Sequence, residues 1–282
     1  MSDDERRLWA LEALCDPLTL RVLDRLRLSR QSRCLELGAG RGSIARWLAT
    51  QCLHGSVVAT DTDTRYLREL REPNLQVQQH DIADGPDFPT GSFDLIHSRA
   101  LFVHLPDREA ILARVARWLA PGGWLVVEEP ALFPADSTLE PAVGAAVAAF
   151  ERLMADRLGS DFRWPRRLPA SLHHAGLAEV DMSAALAVTS DRGAVNEFWR
   201  INLTSLGGEL VDTGLLDPLV LRAALSTFDD PGYRDLTLAF VCAWGSSQSS
   251  QPSQDVAPTT GSVSTWAPDP AMVTGALARP PR

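Results

Sequence analysis

The chain has no pair of neighbouring cysteines. Cys15, Cys34, Cys52 and Cys242 are scattered with no CxxC spacing, and three of them sit in apolar segments where a reduced thiol behaves as a small hydrophobe. That excludes a disulfide-stapled secreted scaffold and a thiolate metal centre. Positive charge is also short, with 36 acidic residues against 27 Lys plus Arg and a formal net charge of −9. Such a surface has no electrostatic reason to approach a phosphate backbone or an anionic membrane, so nucleic acid is not an expected partner. No apolar run reaches the roughly 18 residues of a membrane span. The opening MSDDERRLWA is charged where a secretory leader needs an apolar core. The pair His173 and His174 has no third ligand at metal spacing. These absences predict a cytoplasmic, metal-free protein with no membrane partner, and they leave its oligomeric state open.

What is present is enough apolar material for a full core, 45% of 282 residues. Apolar positions at helical intervals over residues 5–28 predict two helices, broken at Asp16-Pro17. Short β-rich runs then alternate with helical ones. Strands are expected at 33–37, 56–60, 75–79, 93–97 and 124–128, and helices at 43–51, 64–71 and 108–119. This alternation predicts an α/β fold with a doubly wound, mostly parallel sheet. Further strands are expected at 177–182 and 236–243, with helical insertions near 130–169 and 191–226. The expected organisation is therefore N-terminal helices over 1–30, one domain over 31–245, and a tail over 246–282. That tail is rich in Ser, Gln, Pro, Thr and Gly, too poor in apolar residues to order itself.

The stretch CLELGAGRGSIARWLA at 34–49 places three glycines in five positions between the first strand and a helix. Free backbone N–H groups and the positive end of a helix dipole then meet at the carboxyl edge of a sheet, where ligands bind. Gly38 and Gly40 permit close backbone approach. Asp61 ends the second strand 21 residues after Gly40, the spacing at which a carboxylate accepts bonds from a ribose diol. A helix cap is the competing role for Asp61, although Asp63 fits it better. A dinucleotide fingerprint would place its third glycine where Ser43 stands, and has no acid at Glu36. The segments His80-Asp81-Ile82 and 92–98 follow in order, then a Pro121-Gly122-Gly123 turn that structure alone explains.

With these four motifs the chain resembles the class I S-adenosylmethionine-dependent methyltransferases, densely over 33–129. The resemblance implies a seven-stranded Rossmann-like sheet with the last strand antiparallel, and S-adenosylmethionine as cofactor. It also assigns residues. Gly38, Ala39 and Gly40 would line the methionine half and Glu36 would orient its ammonium. Asp61, with Thr62 beside it, would hold the ribose. Asp81 and Ile82 would frame the adenine, and His97 and Ser98 would face the methionine moiety and the methyl group.

Methyl transfer from a sulfonium is an in-line displacement, so alignment and exclusion of water supply most of the rate. A hydroxyl acceptor would also need a general base, for which His97, His104, Glu128 and Glu129 are the candidates. His104 resembles the second histidine of a paired His-His of some O-methyltransferases, with Val103 in the first place; fixing its loop is the alternative. The basic turn 163–167 is either an anion subsite or a solvated face. Trp199 and Tyr233 fall where related proteins build an acceptor lid, although packing suits Trp199. The expected function is methyl transfer to O, N or C of a small molecule. Two alternatives remain: a peptide or protein acceptor, and a cofactor-binding relative that performs no methyl transfer.

Overall fold

The computed structural model describes residues 3–190 and 193–248; the predicted tail lies almost wholly outside them. The sheet contains β1 (Arg33–Leu37), β2 (Ser56–Asp61), β3 (Leu75–Gln79), β4 (Phe93–Arg99), β5 (Leu119–Ala131), β6 (Ala178–Ser190) and β7 (Arg234–Ser246) in the order β3-β2-β1-β4-β5-β7-β6. Strands β1 to β5 run parallel, and β7 lies antiparallel between β5 and β6. The order reverses at β1 and β4, so a crevice opens at their carboxyl ends, where ligands bind in doubly wound sheets.

Helices cover both faces, which explains why the inner strands read as unbroken apolar runs. On one face Cys34, Val57, Ala59, Leu95 and Val126 pack with Ile44 and Leu48 of α2 (Ser43–Gln51). On the other, Leu35, Leu37, Ile96, Leu125 and Val127 pack with Leu112 and Val115 of α3 (Arg108–Ala116). Helices α4 (Pro141–Leu158) and α5 (Leu168–His174) stand between β5 and β6, and α6 (Ala194–Asp212) and α7 (Pro218–Asp229) between β6 and β7.

Several elements differ from the sequence pattern, β5 among them, which runs over Leu119–Ala131 where 124–128 is expected. The predicted pair of N-terminal helices is one helix, α1 (Asp3–Arg25), running through Pro17. An interior proline costs about 3 kcal/mol, and tertiary contacts offset it. Ala10, Cys15, Val22 and Leu23 are buried, and Asp16 and Thr19 are tied to the sheet as described below. The expected helix 64–71 is only the 3-10 turn Thr64–Leu67, capped by Asp63, whose side chain accepts from the Arg65 N–H at 3.1 Å. Strands β6 and β7 extend well past the expected bounds because they pair along almost their whole length. Among the described residues no helix is long and apolar enough to cross a membrane, and no cluster of His, Cys, Asp and Glu could hold a metal.

Candidate cofactor and acceptor site

Strand alternation puts Asp61, Glu36, His97, Arg99 and Glu128 on one face of the sheet, at the carboxyl ends of β2, β1, β4 and β5. The glycine turn lies over the crevice end of this row. Gly38 and Gly40 adopt φ of +66° and +55°, the left-handed region that a side chain would strain. The turn is pinned to β2: the Ala39 N–H donates to the Thr60 carbonyl at 2.8 Å and the Gly40 N–H to Asp61 Oδ2 at 2.9 Å. Asp61 Oδ1 accepts the Asp63 N–H at 3.0 Å. Asp61 therefore holds the loop's shape, and a carboxylate with two such bonds still has lone pairs for a ligand.

A cavity of about 620 Å³ runs from this turn to an outer part, here called the outer chamber, lined by residues of α1, α4 and α6, within the size range of small-molecule sites. Its inner half is lined by Glu36, Gly38, Ala39, Gly40, Asp61, Thr62 and Ile82. This part combines bare backbone with two carboxylates, a donor and acceptor set that could serve an aminoacyl nucleoside. The outer chamber is walled by Leu11, Phe150, Met154, Phe162, Phe198 and Ile201, with Arg7, His104, Arg157, Asn202 and Ser205 as its polar residues.

Several predicted site residues lie elsewhere. His97 is fully buried and does not line the cavity. Its Nδ1 is 2.8 Å from Glu36 Oε2, so it reaches the cavity only through that carboxylate, and its Nε2 has no partner. Ser98 is also buried, off the cavity and without a partner for its hydroxyl. Asp81 is exposed and outside the lining; its carboxylate accepts the Ala83 N–H at 2.8 Å, an Asx turn that closes the loop.

Glu129 corrects the catalytic expectation. It is fully buried and accepts from the N–H groups of Leu101, Phe102 and Val103, the second at 2.8 Å. A carboxylate enclosed by these three donors cannot reach an acceptor's proton. What it does is fix the loop after β4, where Ala100 sits at φ +52°, a conformation costing a non-glycine residue about 1–2 kcal/mol. The loop presents Leu101 to the cavity beside Gly38, and His104 to the outer chamber. Burial pushes the Glu129 carboxyl up to about 8, against the pull of its three N–H donors.

His104 does line the cavity. Its Nδ1 lies 2.9 Å from Ser160 Oγ and its ring meets Phe162 edge-on. Burial, then the charges of Arg7 and Arg108, hold its pKa down at about 4, so it is neutral at physiological pH and a feeble base. Glu128 is committed to α1: Thr19 Oγ1 donates to it, and Arg99 donates to Asp16 at 2.8 Å and to Thr19 at 3.1 Å. Within the basic turn, Arg163 is committed to Asp136 and Glu151. Trp199 is core, donating to Thr237 Oγ1 at 2.8 Å. The sequence reading missed Arg7, Leu8, Leu11 and Glu12 of α1 as cavity residues, since sequence distance hides a helix that folds back over the sheet.

This sheet order, with a glycine turn facing an acidic strand end and no phosphate-binding fingerprint, defines the class I S-adenosylmethionine-dependent methyltransferases. A family model described as "Methyltransferase domain" matches residues 6–175, and the chain belongs to that family. It is 35% identical over 117 residues to Methyltransferase str3 of Strobilurus tenacellus, covering 42% of each chain. It is 33% identical over 112 residues to a trans-aconitate 2-methyltransferase of Methylobacterium nodulans, covering 39% of this chain and 42% of the relative. The chain thus spans about two fifths of the length of these curated relatives. Among solved structures it resembles Haemonchus contortus phosphoethanolamine N-methyltransferase 2 in complex with S-adenosylhomocysteine. There the TM-score is 0.55 at 15% identity, covering 86% of this chain and 57% of that one, a likeness of fold.

Proposed function

We propose that the protein transfers a methyl group from S-adenosylmethionine to a small organic molecule with an apolar body. The observation that carries this reading is that one cavity is lined both by the glycine turn with Glu36 and Asp61 and by the apolar residues of α4 and α6, so an acceptor can meet the reacting end of the cofactor within it. Glu36 would hold the ammonium, the backbone of Gly38 to Gly40 the amino-acid portion, and Asp61 with Thr62 the ribose. Ile82 would lie against the adenine. The cofactor supplies an electrophilic methyl group; this chain's residues align it, exclude water and seat the acceptor. The names of two proteins it resembles, which refer to trans-aconitate and phosphoethanolamine, favour a small acceptor over a protein. The aromatic walls of the outer chamber, Phe150, Phe162 and Phe198, favour it too.

The test is calorimetry followed by transfer. S-Adenosylmethionine and S-adenosylhomocysteine should both bind, and NAD should not. Labelled S-adenosylmethionine with a whole-cell extract should then label a low-molecular-mass compound that gains one CH₂. Binding without any labelled product would favour a cofactor-binding protein that performs no transfer, and label on protein would favour a polypeptide acceptor.

A further inference from the structure

Two polar side chains of the outer chamber end in atoms that the fold leaves unbonded. Asn202, on α6, is buried and lines the cavity. Its Nδ2 donates to the Phe198 carbonyl one turn earlier at 2.8 Å. A carbonyl oxygen cannot donate, so this bond requires the NH₂ end of the amide there and leaves Oδ1 as the free end, an acceptor. Among the described residues Oδ1 has no hydrogen-bond partner, yet it is not sealed in the core. His104 reaches the same chamber from the loop after β4, with Nδ1 2.9 Å from Ser160 Oγ. Ser160 is buried and its hydroxyl has no other partner among the described residues, so its proton is satisfied only when it points at Nδ1. The neutral ring then carries its own proton on Nε2, a donor that is likewise unbonded and not sealed in the core. The other polar side chains of the chamber are engaged: Arg157 pairs with Glu209 at 3.1 Å, and Arg7 and Ser205 also have partners.

Resting on the methyl-transfer reading above, we propose that the acceptor carries a hydroxyl group on its apolar body, and that Asn202 and His104 are the residues that select it. The hydroxyl donates to Asn202 Oδ1, and an oxygen of the same molecule accepts from His104 Nε2–H, while the apolar body lies against Phe150, Phe162 and Phe198. The wall offers one acceptor and one donor, and a hydroxyl answers both with a single atom. A protonated amine donates but cannot accept, and would set an N–H against Nε2–H. An ether accepts but cannot donate, and would bury Oδ1 with nothing to bond, which is how a polar point in an apolar wall discriminates. Neither residue takes a proton in this role; both orient the acceptor.

Two experiments test this. In the first, 2-naphthol and 2-methoxynaphthalene are compared by calorimetry as ligands of the S-adenosylhomocysteine-loaded protein. The ether is the more hydrophobic of the two, so area burial alone favours it. The native protein should instead bind 2-naphthol more tightly, by about fivefold or more. Asn202→Leu, or Asn202→Ala where the leucine variant does not fold, should abolish that preference while leaving S-adenosylhomocysteine affinity within about twofold. Equal or tighter binding of the ether to the native protein, or an unaltered preference in the variant, overturns the proposal. In the second, the compound labelled from S-adenosylmethionine and cell extract is identified by mass spectrometry together with its unmethylated parent. A parent with a hydroxyl group, whose KM rises about tenfold or more in the Asn202 variant while kcat falls by less, supports the proposal. A parent without a hydroxyl, or an unchanged KM, overturns it and leaves methyl transfer standing, whereas no labelled product overturns both.

Discussion

His97 Nδ1 stands 2.8 Å from Glu36 Oε2, both side chains buried, on adjacent parallel strands whose register places the two residues side by side. The bond fixes one carboxylate oxygen of Glu36 and leaves the other for the cavity. Glu36→Gln should weaken S-adenosylhomocysteine binding about 10- to 100-fold, since bonds to charged groups contribute about 1.5–3 kcal/mol. His97→Ala should weaken it less. The double variant should fall short of the sum, because the two losses pass through one group. Additive losses in calorimetry would show that His97 acts independently of Glu36.

Asp61 holds the loop and is the residue proposed to bind the ribose, and two substitutions separate the roles. Asp61→Asn keeps an oxygen for the Gly40 N–H but loses the charge; Asp61→Ala loses both. Asp61→Ala should cost about 1–3 kcal/mol of cofactor affinity, with Asp61→Asn in between. Unchanged affinity in Asp61→Ala would refute the ribose assignment.

Glu129 predicts a pH dependence of stability. Its carboxyl titrates at about 8 in the folded protein against 4.5 as a free group, so the folded state binds the proton more tightly. Its contribution is greatest below pH 4.5 and declines as pH rises toward about 8, as the unfolded chain ionises. Urea midpoints of the native protein should carry this decline between pH 5 and 8, and Glu129→Gln should flatten it. Glu129→Ala orphans three backbone N–H groups and should cost more than about 2 kcal/mol at every pH. An identical pH slope in native protein and Glu129→Gln would contradict this.

His104 titrates at about 4 in place of 6.5. Because the depressed value belongs to a base, the stability it contributes is present above pH 6.5 and is lost as pH falls toward 4. Turnover should therefore stay level from pH 8 to about 5, where an ordinary histidine base would give a fall through 6.5. His104→Ala should lower turnover less than tenfold. A loss of 100-fold or more would restore His104 as a base.

Legibility followed sequence distance. Glu36, Gly38, Gly40 and Asp61 could be read because each sits at the end of a strand or in the turn after it, where local spacing fixes position. Ile82 was legible for the same reason. Glu129 was not: a carboxylate at a strand end looks the same whether it faces a ligand or, as here, the N–H groups of a neighbouring loop. Nor was α1, where local propensity puts a break at Pro17 and the links from Asp16 and Thr19 to Arg99 and Glu128 override it. Pro17→Ala should accordingly raise the melting midpoint by several degrees, since it restores a helical hydrogen bond without disturbing those links.

Those links have a bearing on how the protein tolerates change. Asp16 and Thr19 act as a fixed collar, and the residues that touch the cavity, Arg7, Leu8, Leu11 and Glu12, project from the free arm of the same rod. Each residue turns a helix by about 100°. Inserting one amino acid between Glu12 and Asp16 would leave the collar seated and swing the whole arm away, stripping Arg7 from one chamber and Leu8 from the boundary of the other together. Point changes along the arm should tune acceptor choice one contact at a time, whereas its length has to stay constant.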